Sequence, residues 1–164
     1  MLFLADVMLK KLARWLRILG VPTLYAGDYS EDDDEIIKLA MRKKAVLLTL
    51  DKKLFEKARD YVSAAILSST RLERQLVQLA KEYCLDFGAF PARTICPHCN
   101  GAIKEVQKER VKKKVFAAVY RRHEKFWLCQ NRKCGKVYWE GSHWKKIKET
   151  AARVARAAKN RHRR

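Results

Sequence analysis

The sequence lacks the two kinds of segment that would send a chain into or across a membrane. Charged side chains interrupt its apolar stretches well before about 18 residues, the length that a membrane-spanning helix needs. The first twenty residues, MLFLADVMLKKLARWLRILG, contain Asp6, Lys10, Lys11, Arg14 and Arg17, so they do not form the continuous apolar segment of a secretion signal. We therefore expect no membrane partner and a cytoplasmic location.

Motifs for nucleotide binding and for covalent catalysis are also missing. The sequence contains neither G-x-x-x-x-G-K-[ST] nor G-x-G-x-x-G, the glycine-rich loops that hold nucleotide phosphates. No serine or cysteine stands in a pattern with histidine that would indicate an activated nucleophile. Neither a nucleotide-dependent enzyme nor one with a covalent intermediate is supported.

Acidic residues are scarce in the second part of the chain. Residues 1–90 carry 15 Lys/Arg and 13 Asp/Glu, whereas residues 91–164 carry 22 and 5, so the two parts have net charges of +2 and +17. A basic region of this kind is typical of a nucleic-acid-binding surface. The alternative is a merely soluble surface, or the lysine enrichment of a thermophile, although a thermophile would add acids as well.

Four of the five cysteines form two close pairs. Cys96 and Cys99 have C-x2-C spacing, and Cys129 and Cys134 have C-x4-C spacing. In a chain without a secretion signal, paired cysteines favour metal over disulfides, and four thiolates are the ligands of a structural zinc site. The spacing leaves open that His98 or His143 replaces one cysteine as a ligand. The fifth cysteine, at position 84 on a predicted helix, is expected to be an ordinary core or surface thiol.

Short apolar segments alternate with segments of helical periodicity over residues 2–86. Because the strands are uniformly apolar, the pattern predicts an α/β fold with a parallel sheet and helices on both of its faces. Gly20 is expected to end the first helix, and Thr70 to cap the start of the fourth. The predicted strands are LFLADVML, VPTLYAG, AVLLTLD and SAAILSS, and the predicted helices are MLKKLARWLRILG, DDDEIIKLAMRKK, KKLFEKARDY and TRLERQLVQLAKEYCLD.

A change in composition at FGAFPAR, which contains Pro91, predicts a domain boundary. We expect an α/β domain over residues 1–90 and a small zinc ribbon over residues 91–147. The ribbon should consist of short strands and turns, with positive φ at Gly101 and Gly135. A basic, alanine-rich extension over residues 148–164 predicts a helix that becomes ordered only on RNA.

Acidic residues are predicted at one edge of the parallel sheet, where such sheets bind their ligands. Asp6 and Asp51 follow two strands, and Asp32, Asp33, Asp34 and Glu35 begin the helix after the second strand. Several carboxylates at one edge favour a hard cation, Mg2+ or Mn2+, which can assist hydrolysis of a phosphodiester. The alternative is that these acids, Asp32 and Asp34 above all, are ordinary helix caps.

Five segments together resemble the Mut7-C family, which joins a PIN-like ribonuclease domain to a C-terminal zinc ribbon. The resemblance covers roughly residues 1–148. It implies a PIN-like fold and metal-dependent RNA cleavage, with the family's acidic positions matching Asp6, Asp33 and Asp51. The sequence departs from the family at Leu50, where an arginine is usual. The matching segments are FLADVMLKKLARWLRILG, DDDEIIKLA, VLLTLD, CPHCNG and VYWEGSHW.

Two functions follow as hypotheses. The first is an endoribonuclease in which Asp6, Asp33 and Asp51 hold Mg2+ or Mn2+ and Thr49 orients a carboxylate or a water. The second is a non-catalytic RNA-binding protein, associated with ribosomal RNA or the ribosome, in which the acids are a residual site. In both, basic residues of the ribbon bind phosphates. The ribbon's aromatic residues, Phe126, Trp127, Tyr138, Trp139 and Trp144, are candidates for stacking on unpaired bases, but we expect Trp127 and Trp139 to fill the small core around the zinc and only one or two of the five to face RNA. The candidate RNA-binding residues are Arg121, Arg122, Lys133, Lys136, Lys145, Lys146 and Trp144.

Overall fold

A four-stranded parallel sheet forms the first part of the molecule. The structure is a computed structural model, and it describes residues 1–88 and 90–159. The strands lie in the order β2-β1-β3-β4, and every neighbouring pair is parallel. The strands are β1 Phe3–Ala5, β2 Thr23–Tyr25, β3 Val46–Thr49 and β4 Ala64–Ile66; the helices are α1 Lys10–Ile18, α2 Asp33–Lys43, α3 Lys52–Ala58 and α4 Leu72–Glu82.

Helices cover both faces of this sheet, as the uniformly apolar strands predict. Successive strand residues point to opposite faces, so Phe3 and Ala5 pack against α1 and α4 while Leu4 packs against α2 and α3. All three side chains are fully buried. The mixed α/β fold with a parallel sheet between two helical layers is therefore confirmed.

The strand order places a topological switch point between β1 and β3. From β1 the chain crosses to β2 on one side, and from β3 it crosses to β4 on the other. The connections on the two sides leave a crevice at the carboxyl ends of β1 and β3, and doubly wound sheets bind their ligands there. Asp6 directly follows β1, and Thr49 is the last residue of β3.

A three-stranded antiparallel sheet carries the second pair of cysteines. Phe126, in its central strand, is fully buried and stacks on Tyr120 with ring centroids 6.4 Å apart. The segment between the two cysteine pairs contains helical turns as well as the predicted strands and turns. The elements are β5 Ile103–Val106, a 3-10 turn at Lys108–Val111, α5 Ala117–Arg122, β6 Phe126–Cys129 and β7 Val137–Trp139, in the sheet order β5-β6-β7.

The last described helix, α6, spans Ser142–Lys159 and packs against the first part of the molecule. Its Ala151 and Val154 are buried in the same apolar cluster as α1 and α4. The guanidinium of Arg153 donates to the Glu73 carboxylate of α4 at 2.6 Å. The expectation that this segment becomes ordered only on RNA is thus wrong for residues 148–159, because its apolar stripe already has a partner. α6 runs through the predicted boundary at residue 147, and residues 160–164 of the predicted extension lie outside the described residues.

Two of the local predictions need correction. The fourth helix begins after Arg71 and has no side-chain cap, so Thr70 does not cap it. In the first cysteine turn the positive φ falls on Asn100, at 63°, and not on Gly101. Gly101 is constrained by space instead, because a Cβ there would lie 3.2 Å from the Cys99 sulfur. Gly20 and Gly135 have the predicted positive φ values, at 84° and 54°.

None of the helices in the described ranges has the length and apolar content needed to cross a membrane.

Candidate metal centre and candidate active site

The four paired cysteines come together as one cluster. One ligand atom from each lies within 4.8 Å of every other, and among the described residues this is the only such group of His, Cys, Asp or Glu. Sulfurs bound at about 2.3 Å to one tetrahedral ion lie about 3.8 Å apart. The separation of the Cys96 and Cys134 sulfurs is 3.8 Å, and that of Cys99 and Cys129 is 3.4 Å. The cluster can therefore hold a metal ion such as zinc, and neither His98 nor His143 belongs to it.

Hydrogen bonds around Cys96 favour its thiolate form. Burial alone raises the pKa of this thiol, but the Tyr138 hydroxyl and the backbone amides of Cys99 and His98 together lower the pKa to about 7. The Tyr138 oxygen lies 2.9 Å from the Cys96 sulfur. Burial raises the pKa of Tyr138, and its contact with Cys96 raises it further. The hydroxyl thus keeps its proton and donates it to the sulfur, as a partner that orients a metal ligand does.

The first cysteine turn is fixed to the parallel-sheet part of the molecule by a buried arginine of α1. Arg17 is 4% exposed. Its Nε donates to the Thr23 carbonyl at 2.7 Å, and its Nη1 donates to the carbonyls of Pro97 and His98 at 3.0 and 2.9 Å. Burial lowers the pKa of Arg17, while Asp28 and the thiols raise it. One side chain therefore ties a strand of the sheet to the backbone between two metal ligands.

Sequence analysis missed the residues that make this connection. The Asn100 side chain accepts a hydrogen bond from the Thr23 amide at 2.9 Å, next to the Arg17 contacts. The Ile95 amide donates to the Arg17 carbonyl at 3.1 Å. The available signal was position: Arg17 falls on the buried face of α1 with Ala13 and Leu16, where a charged residue needs a partner.

At the switch point of the sheet, Thr49 holds Asp6 through a directed chain of hydrogen bonds. The Asp51 amide donates to Thr49 Oγ1 at 2.9 Å, and Thr49 Oγ1 donates to Asp6 Oδ2 at 2.7 Å. Because a lone pair of the Thr49 hydroxyl accepts from the Asp51 amide, the hydroxyl proton is free to point at Asp6. The other Asp6 oxygen, Oδ1, accepts from the Val7 amide at 2.5 Å. Both oxygens of this buried carboxylate are thus fixed acceptors.

The other predicted acids lie at the starts of the two helices on one face of the sheet. Asp51 caps α3, and its Oδ1 accepts from the Lys53 amide at 2.7 Å. Asp32 caps α2 by accepting from the Glu35 amide at 3.0 Å, as the alternative interpretation predicted. Asp33 is the exposed first residue of α2.

Asp34 has a different role from the predicted cap. It forms an ion pair with Lys57 of α3 at 2.7 Å. The hydrogen bond from Lys57 lowers the pKa of this exposed carboxyl. Asp34 thus links the first turn of α2 to the last turn of α3.

The structure therefore brings Asp6, Thr49 and Asp51 into one hydrogen-bonded chain. Asp6, Asp33 and Asp51 do not form a group with ligand atoms within 4.8 Å of one another in the described part of the chain. The three carboxylates thus stand apart along the edge of the sheet and do not enclose a single ion site between them. Leu50, where the family usually has arginine, packs against the apolar cluster of α1 and α4.

The predicted RNA-binding side chains lie on the surface of the ribbon and α6. All six cations are exposed, and none is within 4.0 Å of a described acidic group. Trp144 is half-buried and stacks near-parallel to Trp127 at 6.3 Å. Trp127 and Trp139 are also half-buried, so the expectation that they fill the ribbon's core is wrong, and Phe126 fills it. The six cations are Arg121, Arg122, Lys133, Lys136, Lys145 and Lys146.

Comparison with known proteins gives one family. A family model described as the Mut7-C RNAse domain matches residues 1–151. The match spans the parallel sheet, the cysteine cluster and the first half of α6. No curated protein and no solved structure gives a significant match.

Proposed function

We propose a metal-dependent endoribonuclease function for this chain, which belongs to the family described as the Mut7-C RNAse domain. Residues 1–90 would act as a PIN-like catalytic domain, and the ribbon with α6 would hold the RNA. The family description itself points to an RNA-related, nuclease-like function. The reaction, hydrolysis of RNA phosphodiesters at the carboxyl edge of the sheet, is our proposal.

The observation that carries the proposal is the fixed carboxylate of Asp6 at the switch point. Asp6 is 4% exposed and yet has no cationic partner within 4.0 Å in the described ranges. A buried carboxylate is costly unless it is hydrogen-bonded and paired with charge. Thr49 and the Val7 amide supply the hydrogen bonds. A cation bound at this edge would supply the missing charge.

The donor set at this edge fits a hard divalent cation. Mg2+ is usually held by one or two carboxylates plus waters, so a closed cage of three acids is not required. Asp6, Asp51 and Asp33 would hold Mg2+ or Mn2+, which would stabilise charge on the phosphodiester and activate water. The chain's own contribution is orientation: Thr49 fixes Asp6, and the Lys53 amide fixes Asp51.

In this proposal the ribbon contributes binding and not chemistry. The four cysteines would hold a structural zinc, because four thiolates leave no open position for a substrate. The exposed cations of the ribbon and α6 would contact phosphates, and each contact would add to the salt dependence of binding. Ribosomal RNA is a candidate partner, and a cytoplasmic location follows the expectation from the sequence.

One structural observation favours the second hypothesis, a non-catalytic RNA-binding protein. The three candidate carboxylates do not converge in the described structure. Such a protein would use the same basic surface, and its acidic edge would be a residual site.

Cleavage of a labelled, structured RNA distinguishes the two hypotheses. The wild-type protein and an Asp6→Asn, Asp51→Asn double variant are incubated with Mn2+ or Mg2+, and RNA binding is measured in parallel. We expect cleavage by the wild type only, with equal binding by both. Asp60→Asn is the matched control, since Asp60 is exposed beyond the end of α3, away from the carboxyl edge.

Each outcome decides one point. Cleavage that persists unchanged in the double variant would remove the proposed site. Tight, salt-sensitive binding by both proteins without any cleavage would favour the non-catalytic hypothesis. Absence of RNA binding in both would contradict an RNA-directed function altogether.

A further inference from the structure

We infer that a cavity beside the cysteine cluster receives an unpaired base of a single-stranded RNA. The inference rests on the proposed RNA-directed function and names the form of RNA that the ribbon selects. It assigns the aromatic side chains of the ribbon to base stacking and the neighbouring cations to the backbone of the same strand.

The cavity has a volume of about 860 Å3 and lies between the ribbon sheet, α5, the start of α6 and the loop that follows Pro91. Sites for small molecules and cofactors occupy roughly 300–1,000 Å3. The space is therefore large enough for a flat, base-sized group. It is separate from the carboxyl edge, because neither Asp6 nor Thr49 lines it.

Aromatic rings form much of its wall. Trp127, Tyr138, Trp139 and Trp144 all line the cavity, and all four are half-buried. Trp127 and Trp144 lie within 13° of parallel, and the His123 ring lies 6.4 Å from that of Trp139. Half-buried tryptophans around a cavity leave part of each ring available to a ligand. Stacking on such rings is how proteins hold unpaired bases.

The Trp144 indole adds an independent sign that the site is incomplete. Its Nε1 is buried and has no hydrogen-bond partner among the described residues. An unpaired buried donor costs about 1–3 kcal/mol, so most buried donors in native structures have a partner. A second group entering the cavity can provide the acceptor once the indole adjusts.

Exposed cations next to the cavity lining favour a polyanion as the ligand. Arg122, His123 and His143 line it, and Glu105 is the one acidic residue among the described lining. Arg121, Lys145 and Lys146 are exposed next to these residues in sequence. Flat rings beside many cations fit a chain of phosphates that carries flat bases. A duplex keeps its base faces stacked inside, so the cavity should prefer a single strand.

Binding of three matched RNA oligonucleotides to the full, zinc-loaded chain tests this inference. The probes are a 12-nucleotide single strand, the same strand with abasic sugars in place of all bases, and the same strand paired in a duplex. We expect the single strand to bind more tightly than the abasic strand by roughly 5- to 150-fold, since one stacked base contributes about 1–3 kcal/mol. The slope of log affinity against log salt should be the same for both strands, because their phosphates are the same.

Two variants assign the effect to the cavity. Trp127→Ala removes a stacking surface, and Ala118→Trp fills the cavity from an exposed position of α5 without removing a buried side chain. Both should lower affinity for the single strand to that of the abasic strand and leave duplex affinity unchanged. Tyr61→Ala, an exposed aromatic residue of the parallel-sheet domain, is the control and should change nothing. Zinc content and the unfolding temperature of the Ala118 variant verify that it is folded.

The outcomes separate this inference from the proposed function. Equal binding of single, abasic and paired strands, unaffected by either variant, would overturn the cavity assignment and leave an RNA-binding surface in place. An acidic peptide that loses affinity in both variants, while single-stranded RNA does not, would assign the cavity to protein. Failure of every RNA to bind would overturn both the inference and the proposed function.

Discussion

Replacement of Arg17 by methionine tests how the first cysteine turn is joined to the parallel-sheet part of the molecule. Methionine keeps an unbranched apolar stem in the core but removes the charge and every donor. The carbonyls of Thr23, Pro97 and His98 would each lose a hydrogen bond of 2.7–3.0 Å. An unsatisfied buried acceptor costs about 1–3 kcal/mol, so three would cost up to several kcal/mol.

Two effects reduce the stability that Arg17→Met loses. The variant no longer buries a guanidinium, and burial is the main cause of the lowered pKa of Arg17. Water can also reach the half-buried cysteine turn and satisfy part of it. We therefore expect a loss of about 3 kcal/mol in the free energy of unfolding, or roughly 6–12 °C in unfolding temperature for a chain of this size.

Thermal unfolding and the rate of zinc transfer to a chelator are measured together. Arg17→Met should unfold at a lower temperature and release zinc faster, because the backbone between two ligands is no longer held. Arg14→Met, on the exposed face of the same helix, is the matched control and should change the free energy of unfolding by less than about 0.5 kcal/mol. If the two variants have the same stability and the same zinc release, Arg17 does not hold the first cysteine turn to the parallel sheet.

Three further predictions concern the cysteine cluster and α6. We expect elemental analysis to find one zinc ion per chain in the wild type and in Cys84→Ser, at an exposed thiol outside the cluster, and to find none in Cys129→Ser. Zinc retained in the Cys129 variant would exclude this ligand set. The hydrogen bond from Arg153 lowers the pKa of Glu73, so its contribution to stability is present above pH 4.5 and is lost as pH falls through the lowered pKa. Unfolding temperatures measured against pH should show this loss in the wild type and not in Glu73→Gln; parallel curves would contradict it. Val154→Ala removes two methylene equivalents from a side chain that is 1% exposed, so it should cost about 2 kcal/mol. Hydrogen exchange should show protected α6 amides in the absence of RNA, and unprotected amides would mean that α6 is not docked.

The sequence was most informative where the determining interactions are local. Strand periodicity and helix alternation predicted the parallel sheet, because apolar strands need a helical layer on each face. The cysteine spacing predicted the cluster, because two short turns supply the four sulfurs. The family resemblance over roughly residues 1–148 is confirmed by the match over residues 1–151. The positions of Asp6 and Asp51 after strands also predicted their common edge.

The interactions between segments far apart in the chain could not be predicted from the sequence. Arg17 looked like any basic residue of an amphipathic helix, since its partners lie about 80 residues away. α6 looked like a free basic tail, because its narrow stripe of Ala151 and Val154 is small beside its many cations. Phe126 and Trp127 are adjacent in one strand and therefore face opposite sides, so composition alone did not say which of them fills the core.

The rate of RNA cleavage under single-turnover conditions with Mn2+ tests the proposed active site most directly. The wild type, Asp6→Asn and Thr49→Val are compared at saturating protein, so that differences in RNA binding do not enter the rate. We expect Thr49→Val to be about 10- to 100-fold slower, as for other partners that orient a metal ligand, and Asp6→Asn to be slower still. Cleavage by Asp6→Asn at the wild-type rate would contradict an active site at the carboxyl edge of the sheet.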